Sequence, residues 1–159
     1  MMGAKDFLLE QQQTTRSLRL SHDEVRAELV RATIAGGRIA VAAKRLAQVC
    51  LPHFEREEQY VFPVLGLLPD LVRGLARPDM ARVLPLISNF NAKHDGLDDE
   101  HRLIQSAIDV LLEAAHHEQN REVAEFAYNL RLHEKIEDEV IYPTVIMIDN
   151  YLRERLSIA

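Results

Sequence analysis

A single cysteine in 159 residues cannot close a disulfide within the chain, so the fold does not depend on an oxidising compartment. Strand signals are as scarce. No stretch sustains a two-residue alternation, Thr and aromatic clusters are few, and no Asn-Gly or Asp-Gly hairpin sits between β-branched runs, which argues against a sheet-built domain. Long apolar runs are missing too. The N-terminal MMGAKDFLLEQQQTTRSLRL has no apolar h-region, and the most apolar stretch, VFPVLGLLPDLV, is short and broken by Pro63, Pro69 and Asp70. Basic clusters are absent and the formal charge is −6, which argues against nucleic acid or an anionic membrane as a partner. These absences lead to the expectation of a cytoplasmic helical protein whose protein partner the sequence does not name.

What the chain has is a duplication. HFEREEQYVFP at 53–63 and HEKIEDEVIYP at 133–143 lie eighty residues apart. Each holds His-x-x-x-Glu, a further acid and a closing aromatic-Pro. Four residues is just over one helical turn, so His53 with Glu57, and His133 with Glu137, project from one helix face and can grip one metal ion. One such pair is weak evidence, because surface helices use the same pairing for solubility. The upstream sequence repeats as well. Leu18, His22, Val25, Leu29 and Ala32 correspond, at an offset of 79, to Leu97, His101, Ile104, Ile108 and Leu111. Both rows step by four, three, four, three, the period of a helix face turned to a core. Each half therefore supplies His and then His-x-x-x-Glu.

Residues 1–14 read as a polar tail and 15–159 as one domain, with 47% hydrophobic content ample for a core. Four helices are predicted: about Thr15–Ala35, ended by Gly36-Gly37; onward to about Gly66, with Pro52 inside; about Pro85–Ala115; and about Asn120–Leu156. Residues 67–84 form the connection between hairpins. Two tandem hairpins with inward apolar stripes make an all-α, antiparallel up-down-up-down four-helix bundle. A lone core-facing His is usually structural. Four imidazoles and two carboxylates buried together are costly unless paired or metal-bound, and a bound cation is the simplest compensation. His94, with Asp98, finds no support in the repeat and reads as a surface or entrance residue. His116 and His117 read as solvated capping residues, Cys50 as a small buried hydrophobe, and Tyr60 and Tyr142 as core packing. Glu58 and Asp138 read as neighbours of the site or solvated acids.

Imidazole with carboxylate suits iron, manganese, zinc or copper alike. Ferritin-like di-iron bundles build their site from Glu and Glu-x-x-His, whereas the repeated order here puts His first. The series His22, His53-x-x-x-Glu57, His101, His133-x-x-x-Glu137 resembles the hemerythrin-like HHE cation-binding domains, over about residues 15–156. That resemblance implies a non-haem di-iron centre of two irons per chain, with zinc or manganese as substitutes. It makes Glu57 and Glu137 bridging ligands and His22, His53, His101 and His133 terminal ones, with Asp138 competing with Glu137. The family's oxygen carriers have a fifth His on the third helix, but here Leu97 and Gln105 flank His101 at that spacing. The implied centre is more open than a carrier's. It would bind or react with a small diatomic or peroxide ligand (oxygen, peroxide or nitric oxide), in sensing or redox protection rather than bulk transport. No separate base, nucleophile or substrate pocket can be read, so a metal- and oxygen-binding protein is expected rather than a dedicated enzyme. Two other readings stand beside it: an iron-responsive binding or storage module without ligand chemistry, and a metal-free helical interaction domain.

Overall fold

The protein is described by a computed structural model covering Phe7 and residues 15–158, with the side chains of 93–98 left undescribed. The remainder of the expected tail, and the side chains of His94 and Asp98, lie outside the described residues. Every element among the described residues is helical. In order these are α1 (Arg16–Ile34), α2 (Gly37–Tyr60), α3 (Phe62–Leu65), α4 (Leu68–Val72), a 3-10 segment (Pro78–Val83), α5 (Leu84–His117), α6 (Arg121–Ile136), a π turn (Glu137–Ile141) and α7 (Tyr142–Leu156). None of these helices is long and apolar enough to cross a membrane.

The chain divides into two compact units, one of Ser21–Glu55 with Asp95–Glu137, the other of the segments up to Leu20, Arg56–His94 and from Asp138 onward. The first unit is built on the repeated stripes. Along α1, His22, Val25, Leu29 and Ala32 are buried, and along α5 so are His101, Ile104, Ile108 and Leu111. With Leu46, Cys50 and Phe54 from α2, and Ala127 and Leu130 from α6, the apolar members form one continuous core. The stripes bury because their spacing keeps each side chain on one helical face. In the second unit, α7 packs on α3 and on the 3-10 segment. Phe90 meets Tyr142 edge-on, ring centroids 5.1 Å apart, and the guanidinium of Arg19 lies 5.5 Å from the Phe62 ring.

Local chemistry explains the helix ends. Gly36 (φ 84°) and Gly37 (φ 60°) turn the chain between α1 and α2 in the left-handed region, which a Cβ disfavours. Asn120 caps α6, its side chain accepting from the Val123 N–H at 3.1 Å. Pro52 sits within α2, exposed on its outer side, and the helix runs through it.

The two continuous helices expected up to Gly66 and from Asn120 to Leu156 are both interrupted, and the prolines are the reason. A proline has no N–H to donate, and its ring excludes the carbonyl four residues back. At Pro63 the helix stops at Tyr60 and restarts at Phe62. At Pro143 the chain first widens into the π turn and restarts at Tyr142. The Thr144 hydroxyl helps by donating to the Val140 carbonyl at 2.6 Å.

The turn between α1 and α2 gives a test. A Cβ on Gly36 would meet nothing within 4 Å, whereas one on Gly37 would run into the Glu118 carboxylate, which accepts from the Arg38 N–H at 2.6 Å. Gly36→Ala should cost about 1 kcal/mol, from backbone strain alone. Gly37→Ala should cost more, because it also displaces Glu118. Urea unfolding of both variants measures the difference, and equal losses would show that the Glu118 contact contributes nothing.

Candidate metal centre

Five side chains singled out by the duplication, and one that was not, converge in the unit formed by Ser21–Glu55 and Asp95–Glu137. His22 comes from α1, His53 from α2, His101 from α5, His133 and Glu134 from the last turn of α6, and Glu137 from the first position of the π turn. His22, His53 and Glu134 are fully enclosed, and His101 and Glu137 nearly so. His133 alone retains appreciable side-chain exposure, at 18%.

Their donor atoms fall into two groups, each within a 4.8 Å span: His53, His101, Glu134 and Glu137, and His22, His133 and Glu137. Glu137 belongs to both, and its two oxygens face opposite ways. Oε1 lies 2.7 Å from His133 Nε2 and 3.7 Å from His22 Nε2. Oε2 lies 3.6 Å from His53 Nε2 and 3.5 Å from His101 Nε2. Glu134 Oε2 approaches His101 Nε2 to 3.5 Å. These donor sets, imidazole nitrogens with carboxylate oxygens, fit a divalent transition metal.

The imidazoles are oriented from behind. His53 Nδ1 donates to Glu100 Oε2 at 3.2 Å, and His133 Nδ1 lies 3.2 Å from the Ser21 hydroxyl. In both rings this leaves Nε2 facing the cluster, the arrangement by which a partner on one ring nitrogen fixes the other as a ligand. His22 stacks on Phe54, its ring 4.0 Å away and within 13° of parallel. His53 Nε2 and His101 Nε2 are 3.0 Å apart, within hydrogen-bonding distance, so both rings turn the same nitrogen to the cluster.

Burial is the largest single influence on the Glu137 carboxyl and pushes its pKa up, but the facing imidazoles of His133, His22 and His53 and the charge on His133 outweigh it. The net result holds Glu137 well below the ordinary value of 4.5. A buried carboxylate surrounded by potential cations stays ionised.

The other expected residues are placed elsewhere. Glu57 is buried and enters neither donor group; it accepts a hydrogen bond from the Tyr142 hydroxyl at 2.8 Å. Glu58 pairs with Arg19 at 3.7 Å. Asp138, His116 and His117 are exposed, and Cys50 is buried as a free thiol. Glu134 is the residue that sequence reasoning missed. Its signal was present: it follows His133 directly and precedes Glu137 by three, a spacing that shares a helix face. The repeat concealed it, because its counterpart in the first motif is Phe54. Comparison with known proteins adds no assignment: no family model, no curated protein and no solved structure matches the chain. The class is set by the residues alone, as an all-helical protein whose buried His/Glu cluster could hold a metal ion.

The depressed Glu137 pKa predicts an acid limb of stability. A carboxyl lowered by folding contributes fully above the unfolded value and loses that contribution as pH falls through the folded one. Metal-free protein should therefore lose stability progressively below about pH 4.5, and Glu137→Gln should flatten that limb. Chemical unfolding across pH 3 to 7 checks it, and an unchanged acid slope in the variant would refute the assignment to Glu137.

Proposed function

We propose that this chain is a hemerythrin-like di-iron protein that binds or reacts with oxygen, peroxide or nitric oxide, in sensing or redox protection. The observation that carries the reading is the shared carboxylate of Glu137, one oxygen among His22 and His133 and the other among His53 and His101. A lone metal site does not call for a carboxylate placed in this way, and a two-metal site does. In this reading the helices α1, α2, α5 and α6 are the four members of an antiparallel up-down-up-down bundle. Zinc or manganese are the competing occupants for the same donors.

The bound metal pair would supply reducing electrons and open coordination positions to a small neutral ligand. The chain's own residues do the rest. The four imidazoles would offer neutral Nε2 donors to the metal. Ser21 and Glu100 keep two of those rings from turning. Phe54 and the apolar core that continues through Leu46, Ile104, Ile108 and Leu130 exclude water from one side, which suits a ligand that carries no charge. Glu134 adds a second carboxylate on the His53 and His101 side, and the two acids offset part of the metal charge. Glu57, expected as a second bridge, is tested separately.

Anaerobic titration of metal-free protein with ferrous ion should bind two irons per chain and raise the melting temperature by mass action. Oxygen should then produce an absorption band in the visible, and its loss or persistence on degassing separates reversible binding from oxidation. Glu137→Ala should hold fewer than two irons; retention of both would sink the bridged reading. If Glu57→Ala also loses iron, Glu57 is a second bridge, and if it keeps both, Glu137 and Glu134 supply the carboxylates. Stabilisation by ferrous ion without an optical response would transfer the reading to a storage or iron-responsive module. Melting unaffected by chelator or metal would leave a helical interaction domain.

A further inference from the structure

A groove of about 520 Å³ lies between α2 and α5, floored by Val41, Ala42, Val110 and Ala114. Two of these are open to solvent, Val41 at 55% and Val110 at 43%. Leu103, 59% exposed, stands about two turns before Val110 and so on the same face of α5. The small alanines beside the valines let another helix come close. The two walls differ in sign. Arg38 and Arg45 rim the groove on α2, Glu113 and Glu118 on α5. The sequence extends the contrast: residues 37–54 hold Arg38, Lys44 and Arg45 and no acid, whereas residues 106–118 hold Asp109, Glu113 and Glu118 and neither Lys nor Arg. None of the metal donors lines this groove, so what covers it does not depend on what the cluster holds.

We propose that this face joins two copies of the chain in a symmetric dimer. α2 and α5 run in opposite directions, since the Arg38 N–H meets Glu118 at one end and His53 meets His101 at the other. A two-fold axis parallel to the helices therefore lays α2 of each copy over α5 of the other with their levels matched. Arg38 then stands opposite Glu118, and Arg45 opposite Val110 and Glu113. Such a contact is isologous, each copy offering the same patch and receiving its complement. An axis across the helices would instead set α2 on α2 and arginine against arginine, which like-charge repulsion disfavours. A partner of one charge would satisfy one wall and oppose the other, whereas a second copy satisfies both. Burial of Val41, Leu103 and Val110 supplies the attraction, and the charged walls fix the register.

Sedimentation of the whole chain should show a species of two chains that gives way to one on dilution. Val110→Glu, at an exposed position, should keep the helix content and abolish the dimer. Arg45→Glu and Glu113→Arg should each weaken it by roughly tenfold or more, because like charges then face each other. Mixed in equal amounts, these two variants should dimerise again, since each offers the other the opposite charge on both helices. Leu132→Glu, in the exposed apolar row of Tyr128, Leu132 and Ile136 on α6, should leave the dimer unchanged. A chain that sediments as a monomer at every concentration would overturn the proposal and leave the groove to a different protein. So would a dimer that survives Val110→Glu or is broken by Leu132→Glu. Failure of the mixed variants to associate would overturn the pairing of α2 with α5 even if a dimer forms.

Discussion

A negative charge enclosed among imidazoles is the constraint on which the first unit is organised. Glu137 is 4% exposed, and an isolated carboxylate there would take up a proton rather than remain charged. It remains charged because His133, His22 and His53 face it. The neighbouring helices must therefore present a histidine at one common level, and their apolar stripes must be phased to allow it. The core that runs from that level through Val25, Leu29 and Ala32 is continuous and almost wholly hydrocarbon. Polar and apolar requirements are met on the same helical faces: His22 stands in line with Val25, Leu29 and Ala32, and His101 with Ile104, Ile108 and Leu111.

Much of this was legible in the residues. The helix period of the two stripes is local and shows directly in the sequence, and the Gly36-Gly37 turn and the Asn120 cap act within a few residues of themselves. The convergence of His22, His53, His101, His133 and Glu137 could be read because a duplicated chain repeats its histidine and acid positions. The same duplication misdirected attention where the halves differ. Glu134 has no counterpart acid, since Phe54 occupies its place, and a search guided by symmetry passes over a residue that breaks it. Glu57 was paired with Glu137 by symmetry, yet the phenol of Tyr142, which has no counterpart at the equivalent position of the first motif, takes its carboxylate. Phe62, the counterpart of Tyr142, has no hydroxyl to offer. Which acids share a cluster depends on contacts between distant segments, and a single sequence records those only indirectly.

The interruptions of the two long helices teach a similar lesson. Pro63 and Pro143 occupy equivalent places, and both force a restart at an aromatic residue. How the chain absorbs the missing N–H differs: a short break at Val61 in one case, a π turn in the other. Proline dictates that the α-helical pattern must yield and leaves the manner to its surroundings. The π turn begins at Glu137 itself. Such turns hold one more residue than an α-helical turn and are found often at functional sites. Here it opens on the side chain that both donor groups share.

The exchange of Phe54 for Glu134 has an electrical consequence. On one side the cluster rests against a hydrocarbon ring that stacks on His22; on the other it faces a second carboxylate beside His101. Two otherwise similar pairs of imidazoles thus sit at different potentials, with the lower one next to Glu134. A positive charge inside the pocket is not indifferent to which end it occupies. A duplicated chain would be expected to make a symmetric pocket, and a single unmatched residue gives this one a direction.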